Sequence, residues 1–186
     1  MGMRVKVLKP CPWKWTRWSP SRIEMNPLFK RVLHGLKDCD SMLEFGCGMS
    51  TWYLNQYGFK SYTAVETYEP NMIRVKEVCP NVNIVDKWTS IPVMRYKCIF
   101  VDSKEGGGVT GRWVREKPLI YALDNNLVDD SAIVIVHDYK RIKQGVDGNL
   151  KWRKRLNGWI TTMDKYGWKI KHEIMVGRGF GVYSKD

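Results

Sequence analysis

The run Leu43-Glu44-Phe45-Gly46-Cys47-Gly48-Met49-Ser50-Thr51 brings together an acid, two glycines one residue apart and two small hydroxyl residues. Glycine at 46 and 48 lets the backbone turn tightly and approach a ligand where a Cβ would intrude. An acid beside such a turn repels a pyrophosphate, and Thr51 stands where a dinucleotide-binding loop carries its third glycine. The pattern suits a nucleoside-bearing ligand with a cationic centre.

Further acids follow apolar runs at regular intervals. Glu66 comes 20 residues after Gly46 and closes the run Ser61–Val65, the spacing at which a carboxylate accepts hydrogen bonds from ribose hydroxyls. Asp86 follows Val82–Val85 and suits an adenine amino group, with Trp88 offering a face for the ring. Such a set fits S-adenosylmethionine, whose ammonium Glu44 can hold directly or through water, and so points to methyl transfer. Asp102 ends Lys97–Val101, and His137-Asp138 end Ala132–Val136. These three either supply a general base for a substrate hydroxyl or, through Asp102 and Asp138, hold a divalent cation such as Mg2+. Gly106-Gly107-Gly108 and Gly111 then form a loop of the kind that faces substrate, and Arg112 and Arg115 behind it suit an anionic acceptor.

These residues need a scaffold that brings strand ends together. Apolar strands are expected at Ser41–Phe45, Ser61–Val65, Val82–Val85, Lys97–Val101 and Ala132–Val136. Between them, helices are expected at Thr51–Tyr57, Pro70–Val78 and Pro118–Leu127. A helix precedes them from Asn26, where Pro27 suits the first turn and Leu28, Val32, Leu33 and Leu36 form one stripe. A basic helix at about Leu150–Tyr166 leads to two final strands, Lys169–Met175 and Phe180–Tyr183, whose link is too short for a parallel crossover. The expected fold is α/β: a mostly parallel Rossmann-like sheet with helices on both faces and a C-terminal antiparallel hairpin. In such sheets ligands sit at the carboxyl ends of the strands.

The chain has 186 residues, enough for one domain with a real core, and 44% of them are hydrophobic. Residues 1–25 read as an irregular segment in which Trp13, Trp15 and Trp18 alternate with Lys14 and Arg17, and residues 26–186 as a single domain. That segment suits stacking on a base or sugar, with Trp18 as a candidate acceptor contact. The formal charge of +12 favours acidic partners, among them nucleic acid, anionic polysaccharide and a membrane surface. Lys151, Arg153, Lys154 and Arg155 add a basic patch. No apolar run approaches the length of a membrane span, and Met1–Pro10 lacks the apolar core of a signal peptide. The five widely spaced cysteines form no CxxC pair. An intracellular, cytoplasmic setting with reduced thiols is expected.

The four motifs Leu43–Thr51, Ala64-Val65-Glu66, Ile99-Phe100-Val101-Asp102-Ser103-Lys104-Glu105-Gly106 and Ile133–Tyr139, in this order, resemble class I S-adenosylmethionine-dependent methyltransferases from about Asn26 onward. Val101–Gly106, Gly111-Arg112 and Val136–Tyr139 are more loosely similar to small O-methyltransferases, including glucuronoxylan 4-O-methyltransferases. The resemblance implies cofactor contacts from Glu44, Gly46, Gly48, Ser50 and Thr51, ribose binding by Glu66, and Asp102 between cofactor and acceptor with His137 and Asp138 beside it. The chain departs from the catechol type, which carries an acid followed by Asn or Asp at the end of strand five where this chain has His137 beside Asp138, and this counts against a metal site of that type. No Asn-Pro-Pro-Tyr motif follows the fourth strand, which counts against amino methylation. The expected activity is O-methylation of a saccharide or related hydroxylated acceptor. RNA methylation, or a non-catalytic binding protein of the same fold, are the alternatives.

Overall fold

The computed structural model describes residues 9, 12, 33–102, 116–137, 139, 161–175 and 179–185. Seven strands form one sheet: β1 (Ser41–Phe45), β2 (Ser61–Val65), β3 (Asn83–Val85), β4 (Tyr96–Val101), β5 (Val128–His137), β6 (Lys169–Ile174) and β7 (Phe180–Ser184). Their order is β3-β2-β1-β4-β5-β7-β6. The pairs joining β1 to β5 are parallel, and β7 runs antiparallel to both β5 and β6. The expected terminal hairpin therefore forms, with its second strand inserted next to β5. The chain winds outward from β1 to β3 and returns to lay β4 on the other side of β1. This reversal opens a crevice at the carboxyl ends of β1 and β4.

Alternation along the strands fills two cores. Leu43, Phe45, Ile99, Val101, Val134 and Val136 face one side, where Leu119 and Ala122 of α3 (Glu116–Asp124) and Met163 of a helix at 161–165 cover them. Met42, Tyr62, Ala64, Cys98, Phe100 and Ile135 face the other, under Leu54 of α1 (Met49–Asn55) and Val75 of α2 (Glu69–Val78). Leu33 and Leu36, from the expected first helix, are fully buried in this second core; that helix's start, and the 25/26 boundary, lie outside the described residues. Among the described residues no helix is long and apolar enough to cross a membrane.

The strands β1 and β2 match expectation to the residue, whereas β5 begins four positions before Ala132. Its polar start, Asp129-Asp130-Ser131, is held in the strand by charge: Arg95 Nη2 and Lys185 Nζ both reach Asp130 at 2.8 Å. A register shift between Tyr96 and Cys98 accommodates the extra length. The helix α1 begins two residues before Thr51, because Gly48 already serves as its cap.

Candidate functional site

Three strand ends are tied together at the crevice. The Gly46 N–H donates to the Val65 carbonyl at 2.8 Å, and the Asp102 N–H to the Phe45 carbonyl at 2.8 Å. Gly46 has φ +92°, a left-handed value that favours glycine, and this aims the chain sharply into α1. Gly48 is buried, yet a Cβ built there would meet nothing within 4 Å, so the turn borders an open hollow.

Glu44 lies beneath this turn, fully buried. Its Oε1 accepts a hydrogen bond from Ser50 Oγ at 2.5 Å, and its Oε2 accepts from Thr51 Oγ1 at 2.7 Å and from the Tyr62 hydroxyl at 2.6 Å. Thr51 Oγ1 in turn accepts the Gly48 N–H at 2.8 Å. The carboxylate therefore fixes the glycine turn through Thr51, and both of its oxygens accept hydroxyl donors from the protein. Burial raises its pKa to about 7, against the pull of those hydroxyl donors and with a smaller push from the Asp102 charge. Burial and the adjacent Glu44 charge likewise push the Tyr62 hydroxyl well up.

Glu66 stands half-buried just past β2. Its Oε1 accepts the N–H groups of Thr67 and Tyr68, both at 2.9 Å, and its Oε2 accepts Asn71 Nδ2 at 3.2 Å. Glu66 thus secures the entry to α2 while Oε2 keeps a lone pair for another donor. Asp86 is exposed after β3, and Trp88 packs one face toward Tyr121 with ring centroids 5.6 Å apart.

At the ends of β4 and β5 the structure brings Asp102 and His137 together. His137 Nδ1 is 2.8 Å from Asp102 Oδ2, with the two side chains 15% and 27% exposed. The carboxylate lies off the ring's N–H axis, so this is a close electrostatic contact and not an aligned hydrogen bond. Phe180, opposite His137 on β7, stacks on the imidazole at 4.8 Å with a 21° tilt. On the other face of the sheet Tyr139 crosses β7: its N–H donates to the Gly179 carbonyl at 3.1 Å and its hydroxyl to Glu173 Oε1 at 2.9 Å. A Cβ on Gly181 would stand 2.6 Å from the Tyr139 ring, so only glycine permits this crossing.

Asp138, Arg112, Arg115 and Trp18 lie outside the described residues, as do Trp13, Trp15 and the 151–155 basic patch. Among the described residues no group of three or more His, Cys, Asp or Glu could hold a metal ion. Sequence reasoning missed Tyr62, Tyr139, Phe180 and Gly181. The first was legible in principle, because Tyr62 and Glu44 fall on the same sheet face once β1 and β2 are paired.

No protein-family model matches the chain, and no curated protein matches it in sequence. Solved structures do. A methyltransferase of Podospora anserina, PaMTH1, bound to S-adenosylhomocysteine, is 18% identical, with 92% of this chain and 83% of that one covered at a TM-score of 0.54. The O-methyltransferase TomG of Streptomyces achromogenes, in complex with S-adenosylmethionine, is 16% identical, covering 83% and 78% at 0.58. An S-adenosylmethionine-dependent methyltransferase of Aquifex aeolicus is 17% identical, covering 89% and 92% at 0.57. The chain has the class I methyltransferase fold. In that fold the crevice bounded by Glu44, Gly48 and Asp102 lies at the topological switch point.

Proposed function

We propose that this protein is an S-adenosylmethionine-dependent O-methyltransferase acting on a hydroxyl of a saccharide or related acceptor. The observation that carries the reading is the Asp102–His137 contact of 2.8 Å beside the glycine turn at the switch point. The fold neighbours named as methyltransferases, one of them an O-methyltransferase, support it.

The hollow at Gly48 and the remaining acceptor capacity of Glu66 fit the cofactor. Glu44 acts at one remove, holding Ser50, Thr51 and the Gly48 N–H in place. Glu66 Oε2 would accept a ribose hydroxyl, with Asp86 and Trp88 at the adenine. S-adenosylmethionine, when bound, supplies a methyl group already activated on a sulfonium. What the chain adds is mostly alignment and one proton acceptor. His137 turns Nδ1 to Asp102, which leaves Nε2 to take the proton of the acceptor hydroxyl. Asp102 stabilises the imidazolium so formed, and the contact tightens into alignment once acceptor is bound. Arg112, Arg115 and Trp18 are the proposed acceptor contacts. A divalent cation on Asp102 and Asp138 would be an alternative way to lower the hydroxyl pKa. The free thiols of Cys39, Cys47 and Cys98 suit a reducing, intracellular compartment.

The net charge of +12 favours RNA as the second reading. The test is transfer of a labelled methyl group from S-adenosylmethionine into a fractionated extract, with magnesium or with chelator. Label in nuclease-resistant glycan supports the saccharide reading, and its loss with chelator shows that transfer needs a divalent cation. Label in nuclease-sensitive material replaces saccharide with RNA. Tight S-adenosylhomocysteine binding with no label in any fraction leaves a non-catalytic binding protein and overturns the enzyme.

A further inference from the structure

Trp52 on α1 and Gln56 at its C-cap carry side-chain contacts to a distant part of the chain. Both meet the main chain of a single residue, Lys9, more than forty positions earlier. The Lys9 N–H donates to Gln56 Oε1 at 2.6 Å; its carbonyl accepts from Gln56 Nε2 at 3.2 Å and from Trp52 Nε1 at 3.0 Å. Gln56 Nε2 also donates to the Trp52 carbonyl at 3.2 Å, so the fork is held in place by its own helix. The Lys9 side chain takes no part in these three bonds.

The sequence of the partner suits such a fork. Lys9 precedes Pro10, and a residue before proline is driven to extended backbone. In extended backbone a residue's N–H and C=O point to the same side, and the two ends of a glutamine amide match that pair as a neighbouring strand would. The segment also carries a distinctive load: residues 1–25 hold six Lys or Arg against one acid, along with Trp13, Trp15 and Trp18.

We infer that Trp52 and Gln56 form a docking site for the chain's own N-terminal segment, read through the main chain at Lys9. Its consequence follows from length. The helix α1 is seven residues long, about 10 Å, and it starts at the glycine turn. The nine residues from Lys9 to Trp18 span at most about 30 Å. Docking at Gln56 therefore keeps the tryptophans and arginine of the segment within reach of the strand ends, where a free tail would sample a far larger volume.

The test uses the full chain and two readouts. In the parent protein the Lys9 amide should exchange its hydrogen at least about tenfold slower than in a free peptide of residues 1–20. Gln56→Leu should bring it to the peptide rate, and Gln56→Glu, which keeps the acceptor for the N–H but loses the donor to the carbonyl, should fall between. A Lys9 amide that exchanges at the peptide rate in the parent, or is equally protected in Gln56→Leu, overturns the docking site. The second readout rests on the methyl-transfer reading. S-adenosylhomocysteine affinity, measured by calorimetry, should be unchanged in Gln56→Leu, while the KM for the extract fraction that accepts label rises at least about threefold. An unchanged KM removes the acceptor role and leaves the dock standing on exchange. Absence of S-adenosylhomocysteine binding in the parent counts against the cofactor reading alone.

Discussion

The two walls of the crevice are built on opposite plans. At the ends of β1 and β2, Glu44 is fully buried and receives three hydroxyl donors at 2.5–2.7 Å, all from its own domain. At the ends of β4 and β5, Asp102 and His137 are partly exposed, and their 2.8 Å contact is misaligned. The first arrangement fixes backbone; the second leaves an imidazole with capacity to change partners. A fully buried acid that already holds three hydroxyls acts mainly through what it holds. An imidazole supported by stacking on Phe180, and not by an aligned hydrogen bond, can exchange a proton without breaking the wall behind it.

The largest effect expected from this contrast is on turnover. His137→Ala should lower methyl transfer by roughly 10²–10⁴-fold while S-adenosylhomocysteine affinity stays within about twofold. Equal losses in rate and affinity would move His137 from the acceptor wall to the cofactor wall. Next in size is a pH effect confined to the other wall. Burial lifts the Glu44 carboxyl from 4.5 to about 7, so between those values the folded chain keeps a proton that the unfolded chain releases. The stability this group gives is complete below pH 4.5 and declines as pH rises through about 7, a loss of about 3 kcal/mol. In urea unfolding at pH 5 and pH 8, Glu44→Gln should show a correspondingly smaller fall in stability than the parent. Identical falls in both proteins would mean that Glu44 is ionised at the same pH folded and unfolded.

The two walls also differed in how far the sequence disclosed them. Ser41–Phe45 and Ser61–Val65 were legible to the residue, because each is a short apolar run closed by a glycine or an acid. Asp102 and His137 were legible as neighbours because consecutive parallel strands place their ends together. Glu44's protein partners were not: the acid beside a glycine turn suggested a hold on the ligand directly or through water, and its bond from Tyr62, eighteen residues on, emerges only once β1 and β2 are paired. The start of β5 was hidden for a similar reason, since Asp129 and Asp130 read as loop until Arg95 and Lys185 are brought beside them. Gly181 gave only the weak signal of a glycine inside an apolar strand, which marks a close approach without naming what approaches.

Gly181→Ala tests whether the β5 end depends on its support from β7. The added Cβ would lie 2.6 Å from Tyr139 Cδ2 and 2.9 Å from Cε2, atoms of a rigid ring tied down by Glu173. A cost of about 1–3 kcal/mol is expected from overpacking, with a loss of turnover because Tyr139 lies two residues from His137. Combined with Tyr139→Leu, the substitution should cost less than the sum of the two alone, since the smaller side chain removes the clash. Strict additivity in thermal or urea unfolding would show that the ring moves aside freely and that the crossing does not brace the strand.

The smallest effect separates two roles within one side chain. Glu66 Oε1 accepts two backbone N–H groups at the entry to α2, whereas Oε2 meets only Asn71, at the longer distance of 3.2 Å. Glu66→Gln can keep an oxygen on the backbone pair and present an amide NH2 in place of the oxygen proposed to accept the ribose hydroxyl. The entry to α2 should then survive, with little change in melting temperature, and S-adenosylhomocysteine affinity should fall about tenfold, or about 1.4 kcal/mol. Glu66→Ala should lose both functions, weakening affinity and loosening α2 together. If Glu66→Gln binds as the parent does and only Glu66→Ala is impaired, the carboxylate serves the helix, and the rigid wall of the crevice contributes no direct acceptor to the ribose.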